Sequence, residues 1–180
     1  MKRFLIALLV VVCVAAAIYK FTAPKEISVT GTIPYRTEQE LILNSDLIVA
    51  GKVDKIGEGK WSNPDFEPAE KRNILQTDVF VEIDEILYGE YSREFVAVRI
   101  DKGYDPESNT KVISDGYPDF EVGEEVLLFL SRDDSDVATE EDYFVLTGMK
   151  QGKWNIAGNK ITSTDYATQT IDELKEKIRQ

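Results

Sequence analysis

The sequence predicts a mainly β chain, a small closed or half-closed barrel or else a sandwich, with one short helix before it and one after. Three observations lead there. Residues 126–130 (Val-Leu-Leu-Phe-Leu) are five apolar residues with no polar break. The run is too short for a helix and follows a turn at Gly123, as expected of a strand buried on both faces. Residues 75–87 and 94–100 show period-two alternation around Tyr88-Gly89-Glu90, the pattern of a hairpin. Finally, Thr37 with Glu40 and Thr170 with Glu173 form two capping boxes that bracket the strands and open the helices.

Taken in order, the chain begins with Lys2 and Arg3 ahead of an apolar run over residues 4–19, closed by Lys20. A basic start before an apolar stretch is the pattern of an export signal, and it holds the N-terminus inside while sending the rest out. Sixteen residues are short for a relaxed span. With Phe21 and snorkelling by Lys20 the run still spans as a leader helix, and Ala15-Ala16-Ala17 offers a cleavage site. Residues 1–21 are therefore read as a signal anchor or signal peptide, residues 22–36 as a linker, and residues 37–180 as the exported domain. Cys13 is read as a small apolar residue of the leader, because Val12 stands where a lipidation motif wants a small residue.

Residues 22–34 carry prolines at 24 and 34 and suit a linker or short edge strand. The first capping box opens a short helix through Leu41, Ile42 and Leu43. Residues 47–56 form the first strong strand, in which Gly51 signals a bulge or barrel corner. Residues 57–73 are a polar loop holding Trp61 and Phe66. Its Gly-Glu-Gly-Lys lacks the spacing of a phosphate loop. After the hairpin comes an acidic loop over residues 101–119, long enough to suggest function or mobility. The 126–130 strand follows, then an acidic loop over 133–142, a strand over 143–147 and a last hairpin around Gly158. The second capping box leads into an amphipathic helix with Ile171, Leu174 and Ile178 on one stripe.

Composition narrows the chemistry. Hydrophobic residues make up 43% of the chain, enough for a packed core. Setting aside Lys2, Arg3 and Lys20, the body holds 18 basic and 33 acidic residues, a net charge of −15. Such a body repels phosphate backbones, so no nucleic-acid partner is expected. There is no histidine, and Cys13 is the only cysteine. Serine and cysteine triads, thiolate metal sites and the usual neutral-pH base are thereby excluded.

Certain stretches resemble a known type of domain. They are Ser-Asp-Leu-Ile-Val-Ala-Gly-Lys-Val at 45–53, Asp-Val-Phe-Val-Glu-Ile at 78–83 running into Glu-Ile-Leu-Tyr-Gly at 85–89, Val-Gly-Glu-Glu-Val-Leu-Leu-Phe-Leu at 122–130, and Gln-Gly-Lys-Trp at 151–154. Together they resemble a group of exported bacterial proteins and, more distantly, the OB-like barrels of the netrin and tissue metalloproteinase inhibitor type. The resemblance implies an OB-like barrel of five to seven strands. Those inhibitors act through a disulfide-bonded N-terminal cysteine, which this body lacks, so protease inhibition by that route is not implied.

Two groups of residues stand out as candidate sites. Asp101, Asp105, Glu107 and Asn109 offer hard oxygen donors suited to calcium, although no EF-hand spacing is present. Trp61, Phe66, Tyr104 and Tyr117 lie in loops and would form an aromatic face for a ligand. No catalytic residue and no cofactor are assigned. The resulting expectation is a non-enzymatic binding or interaction module of the bacterial cell envelope. It is single-pass with its C-terminal domain outside, or else secreted, and takes an envelope protein or peptide as partner. The alternatives are a hydrolase using carboxylates alone, marked by two carboxyl groups within about 5–9 Å in a concavity, and a calcium-dependent structural module.

Overall fold

The computed structural model describes residues 23–63, 73–135, 138–139 and 141–180. Its centre is a five-stranded barrel of β2 (Leu47–Ile56), β4 (Leu75–Tyr88), β5 (Phe95–Ile100), β8 (Glu125–Ser131) and β9 (Phe144–Leu146). Around the barrel the order is β8-β2-β4-β5-β9, and β9 returns to β8. Every neighbouring pair is antiparallel except β5 and β9, which run parallel with Val98 opposite Phe144. Strand β9 thus lies between β5 and β8 and closes the ring, leaving none of the five with an open edge along its whole length.

Strand β8 is buried on both faces because two cores meet across it. Val126, Leu128 and Leu130 point into the barrel with Val49, Val53, Val79, Val81, Val96, Val98 and Phe144. Leu127 and Phe129 point outward and are covered, with Ile48, by Trp154 and by two helices. Those helices are α1 (Glu38–Leu43) and α2 (Ile171–Ile178), and each opens on the expected capping box. Leu41 and Leu174 are their fully buried contacts. Outside the ring, β10 (Lys153–Ala157) pairs with β8 and turns through Gly158 into β11 (Lys160–Thr162), which pairs with β12 (Gln169–Thr170).

Gly51 is required where β2 crosses β4. A Cβ there would lie 2.1 Å from the Glu82 carbonyl oxygen, and the β2–β4 register shifts between Ala50 and Gly51. A side chain would force the strands apart at this bulge.

The 101–119 stretch is not an irregular loop. It holds a hairpin of β6 (Gly103–Asp105) and β7 (Thr110–Ser114), and β7 pairs in parallel with β1 (Lys25–Val29). The reason it escapes notice is composition: Gly, Asp, Asn and Ser punctuate strands only three and five residues long. The stretch 22–34, expected as a linker or short edge strand, gives in Lys25–Val29 an edge strand of this small sheet. A two-residue strand, β3 (Lys60–Trp61), pairs with β4 inside the 57–73 loop. Among the described residues no helix is long and apolar enough to cross a membrane. The apolar leader and Phe66 lie outside the described residues.

Candidate ligand-binding cleft

Trp61 sits where the small sheet meets the barrel, and two concavities open on either side of it. One, about 330 Å³, is mainly apolar and is lined by Ile27 and Val29 of β1, Val112 of β7, Leu75, Tyr117 and Met149. The other, about 220 Å³, is charged and is lined by Lys60, Gln76, Asp78, Arg99, Thr139 and Glu141. The apolar side follows from register: Ile27 is opposite Val112, and Val29 is opposite Ser114, so these residues share one face of the small sheet.

Each of the described aromatic candidates donates to one of the oxygen-donor candidates. The Trp61 indole donates to Asp105 Oδ2 at 2.9 Å. The Tyr117 hydroxyl donates to Asp101 Oδ2 at 2.9 Å, and the Tyr104 hydroxyl to Asn109 Oδ1 at 2.9 Å. Asp105 is buried and also accepts from the Glu107 and Ser108 amides and the Ser108 hydroxyl. Burial alone would raise its pKa, but the donors from Ser108, Trp61 and the two amides outweigh that and hold it below the usual range. Burial, with the nearby Asp101 charge, pushes the Tyr117 phenol up. Gln76 Nε2 donates to the other oxygen of Asp101 at 3.0 Å, linking the two concavities.

Trp61 and Tyr117 therefore share the apolar concavity, with Asp101 beside them. Tyr104 is exposed on β6 and does not line it. Glu107 is exposed in the β6–β7 turn. Among the described residues no group of three or more Asp or Glu side chains is arranged to hold a metal ion.

The charged side of the cleft is built on Arg99, which is 5% exposed. It donates Nε to Asp78 Oδ1 at 2.7 Å and Nη2 to Asp78 Oδ2 at 2.9 Å. The same Nη2 donates to Glu141 Oε2, and the guanidinium lies 3.8 Å from the Tyr143 ring centre. Burial opposes the charge, but the bonds to Asp78 and Glu141 prevail and raise the Arg99 pKa further. The bond from Arg99 in turn lowers the Glu141 carboxyl below its ordinary value. Two carboxyl groups, those of Asp78 and Glu141, thus share one guanidinium nitrogen. A general acid needs a raised pKa, and that of Glu141 is lowered instead.

Of the residues that line the cleft, the sequence reading singles out Trp61 and Tyr117 but not Arg99, Asp78 or Glu141. One signal was available. Folding the 75–100 hairpin about its turn puts Asp78 opposite Arg99, the observed register, and opposite charges facing across strands form a pair. Nothing in the sequence marks Thr139 and Glu141, which reach the cleft only because β9 closes the barrel beside β5. Neither the family comparison nor the comparison with curated proteins finds a match for this chain.

Proposed function

We propose that this protein is a non-enzymatic binding module of the bacterial cell envelope, exported and held at the membrane by its N-terminal segment. On this reading it recognises an envelope protein or peptide in the cleft around Trp61. The observation that carries the reading is the cleft's construction: an apolar concavity beside a charged one, with its buried charge already paired to carboxylates. Such a surface offers shape and directed hydrogen bonds, the means of recognition.

The barrel is of the OB type in this reading. Numbering its strands in chain order, they run 1-2-3-5-4 and return to 1, with the third and fifth parallel. Barrels of that type bind along strands two and three and through the loops joining strands one to two and four to five. Here those elements supply Gln76 and Asp78, Arg99, Lys60 and Trp61, and Thr139 and Glu141. The agreement supports a ligand site at this face.

The test is crosslinking in intact cells with the full chain as bait, comparing it with Trp61→Ala. Recovery of a defined envelope partner by the parent and its loss in the variant, with an unchanged melting temperature, supports the reading. Equal recovery by both overturns it. The presence of Asp78 and Glu141 together in the charged concavity motivates one second reading, a hydrolase using carboxylates alone. Glycan hydrolysis by the purified protein that disappears in Glu141→Gln would establish that reading instead.

A further inference from the structure

The point where the chain enters the fold fixes which face meets the bilayer. Strand β1 runs parallel to β7, so it starts beside the β6–β7 turn. Lys25 is opposite Thr110, and Thr110 is opposite Asp105, forming the first row of the small sheet. The entry is pinned there: the Lys25 amide donates to the Asn109 carbonyl at 2.8 Å, and Asn109 Nδ2 donates to the Ala23 carbonyl at 3.4 Å. Only Thr22, Ala23 and Pro24 separate Lys25 from Phe21, the last apolar residue of the leader. Even fully extended, four peptide steps reach at most about 14 Å.

From these restraints we infer that the β6–β7 turn, residues 105–109, rests against the outer bilayer surface. The inference depends on the leader acting as an anchor, as proposed above. It then sets the height of the cleft. Ile27 and Val29, which line the apolar concavity, follow Lys25 by two and four residues, about 7 and 13 Å along the strand. The cleft opens just above the membrane, so the partner it fits is the membrane-proximal part of an envelope protein. Exposed Tyr104 lies one row from the entry, opposite Lys111, and Lys25 lies in the first row. Tyrosine and lysine suit the headgroup region. Electrostatic attraction does not set this pose, because the body carries a net charge of −15 and the turn exposes Glu107. The short tether sets it.

The test uses the full chain in vesicles of zwitterionic lipid doped with a gadolinium-chelated lipid, with Cys13 replaced by Ala and spin labels at Glu107→Cys or Gly31→Cys. An added side chain at Gly31 meets nothing within 4 Å, so that label leaves the fold alone. Relaxation enhancement at position 107 should exceed that at position 31 by at least threefold. Inserting twelve Gly/Ser residues between Thr22 and Ala23 should abolish the difference. Equal or reversed enhancement in protein that stays with the vesicles overturns the orientation and leaves the anchor standing. A difference that survives the insertion overturns the tether as its cause. Protein released from the vesicles overturns the anchor, and the orientation with it.

Discussion

The indole nitrogen of Trp61 lies 2.9 Å from Asp105 Oδ2, and this bond ties the β3 strand to the β6–β7 hairpin across the mouth of the cleft. Asp105 is the hub of that corner, with four donors converging on one buried carboxylate. A carboxylate so surrounded is charged in the folded state and holds its donors in place.

Asp105→Asn should destabilise the protein by about 1–3 kcal/mol, the cost of weakening several bonds to a buried charge. The pH dependence gives a second check. The folded pKa of Asp105 is lowered, so its contribution is complete above the unfolded value near 3.9 and is lost as pH falls through that value toward the folded one. Asp119, Asp133 and Asp142 are lowered as well and act with the same sign. Chemical denaturation between pH 7 and pH 3 should show stability falling below about pH 5. The fall should be smaller in the variant.

Calcium should leave the melting temperature unchanged. Asp101 and Asp105 have their oxygens committed to Tyr117, Gln76, Trp61, Ser108 and backbone amides. Calcium would need six to eight oxygens drawn together at 2.3–2.6 Å. Scanning calorimetry with millimolar calcium and with a chelator checks this. An upward shift reversed by the chelator would support the calcium-dependent structural module instead.

The contrast between barrel and cleft shows what a sequence displays. Strand β8 was legible because burial on two faces leaves an unbroken apolar run, and both helices were legible because a capping box is a local contract between residues three apart. The β6–β7 hairpin was hidden because its stability comes from β1, some eighty residues earlier, and not from its own pattern. The cleft was half visible for the same reason. Trp61 announces itself as an aromatic in a polar loop, whereas Arg99 gains its meaning from Asp78, one hairpin away, and from Glu141 beyond the barrel closure.

Arg99→Met should destabilise the protein by about 3 kcal/mol, because it leaves Asp78 partly buried without its partner. Lysine should rescue little, since a single ammonium cannot reproduce the paired Nε and Nη2 bonds to Asp78. The double variant Arg99→Met with Asp78→Leu should recover much of the loss, as apolar replacements of a buried pair commonly do. Urea denaturation of the three variants measures this. A double variant as unstable as Arg99→Met alone would show that Arg99 acts mainly through Glu141 and Tyr143.

Thr77 points to a stabilising change. Its hydroxyl is buried with no hydrogen-bond partner, in a strand whose neighbouring inward residues, Leu75 and Val79, are apolar. The hydroxyl faces Gly103, where an added Cβ would lie 2.0 Å from Thr77 Oγ1. The position therefore accepts no bulk from the Gly103 side, and a change at Thr77 must conserve shape. Valine has that shape and removes the unsatisfied group, whose burial costs roughly 1–3 kcal/mol. Thr77→Val should raise stability by about 1 kcal/mol, the slightly larger methyl offsetting part of the gain. Gly103→Ala should lower stability, since it drives a methyl group against the Thr77 side chain at a φ of 149° that favours glycine. Thermal unfolding of the two variants decides the matter: valine no more stable than threonine would mean that the hydroxyl finds a partner in solution.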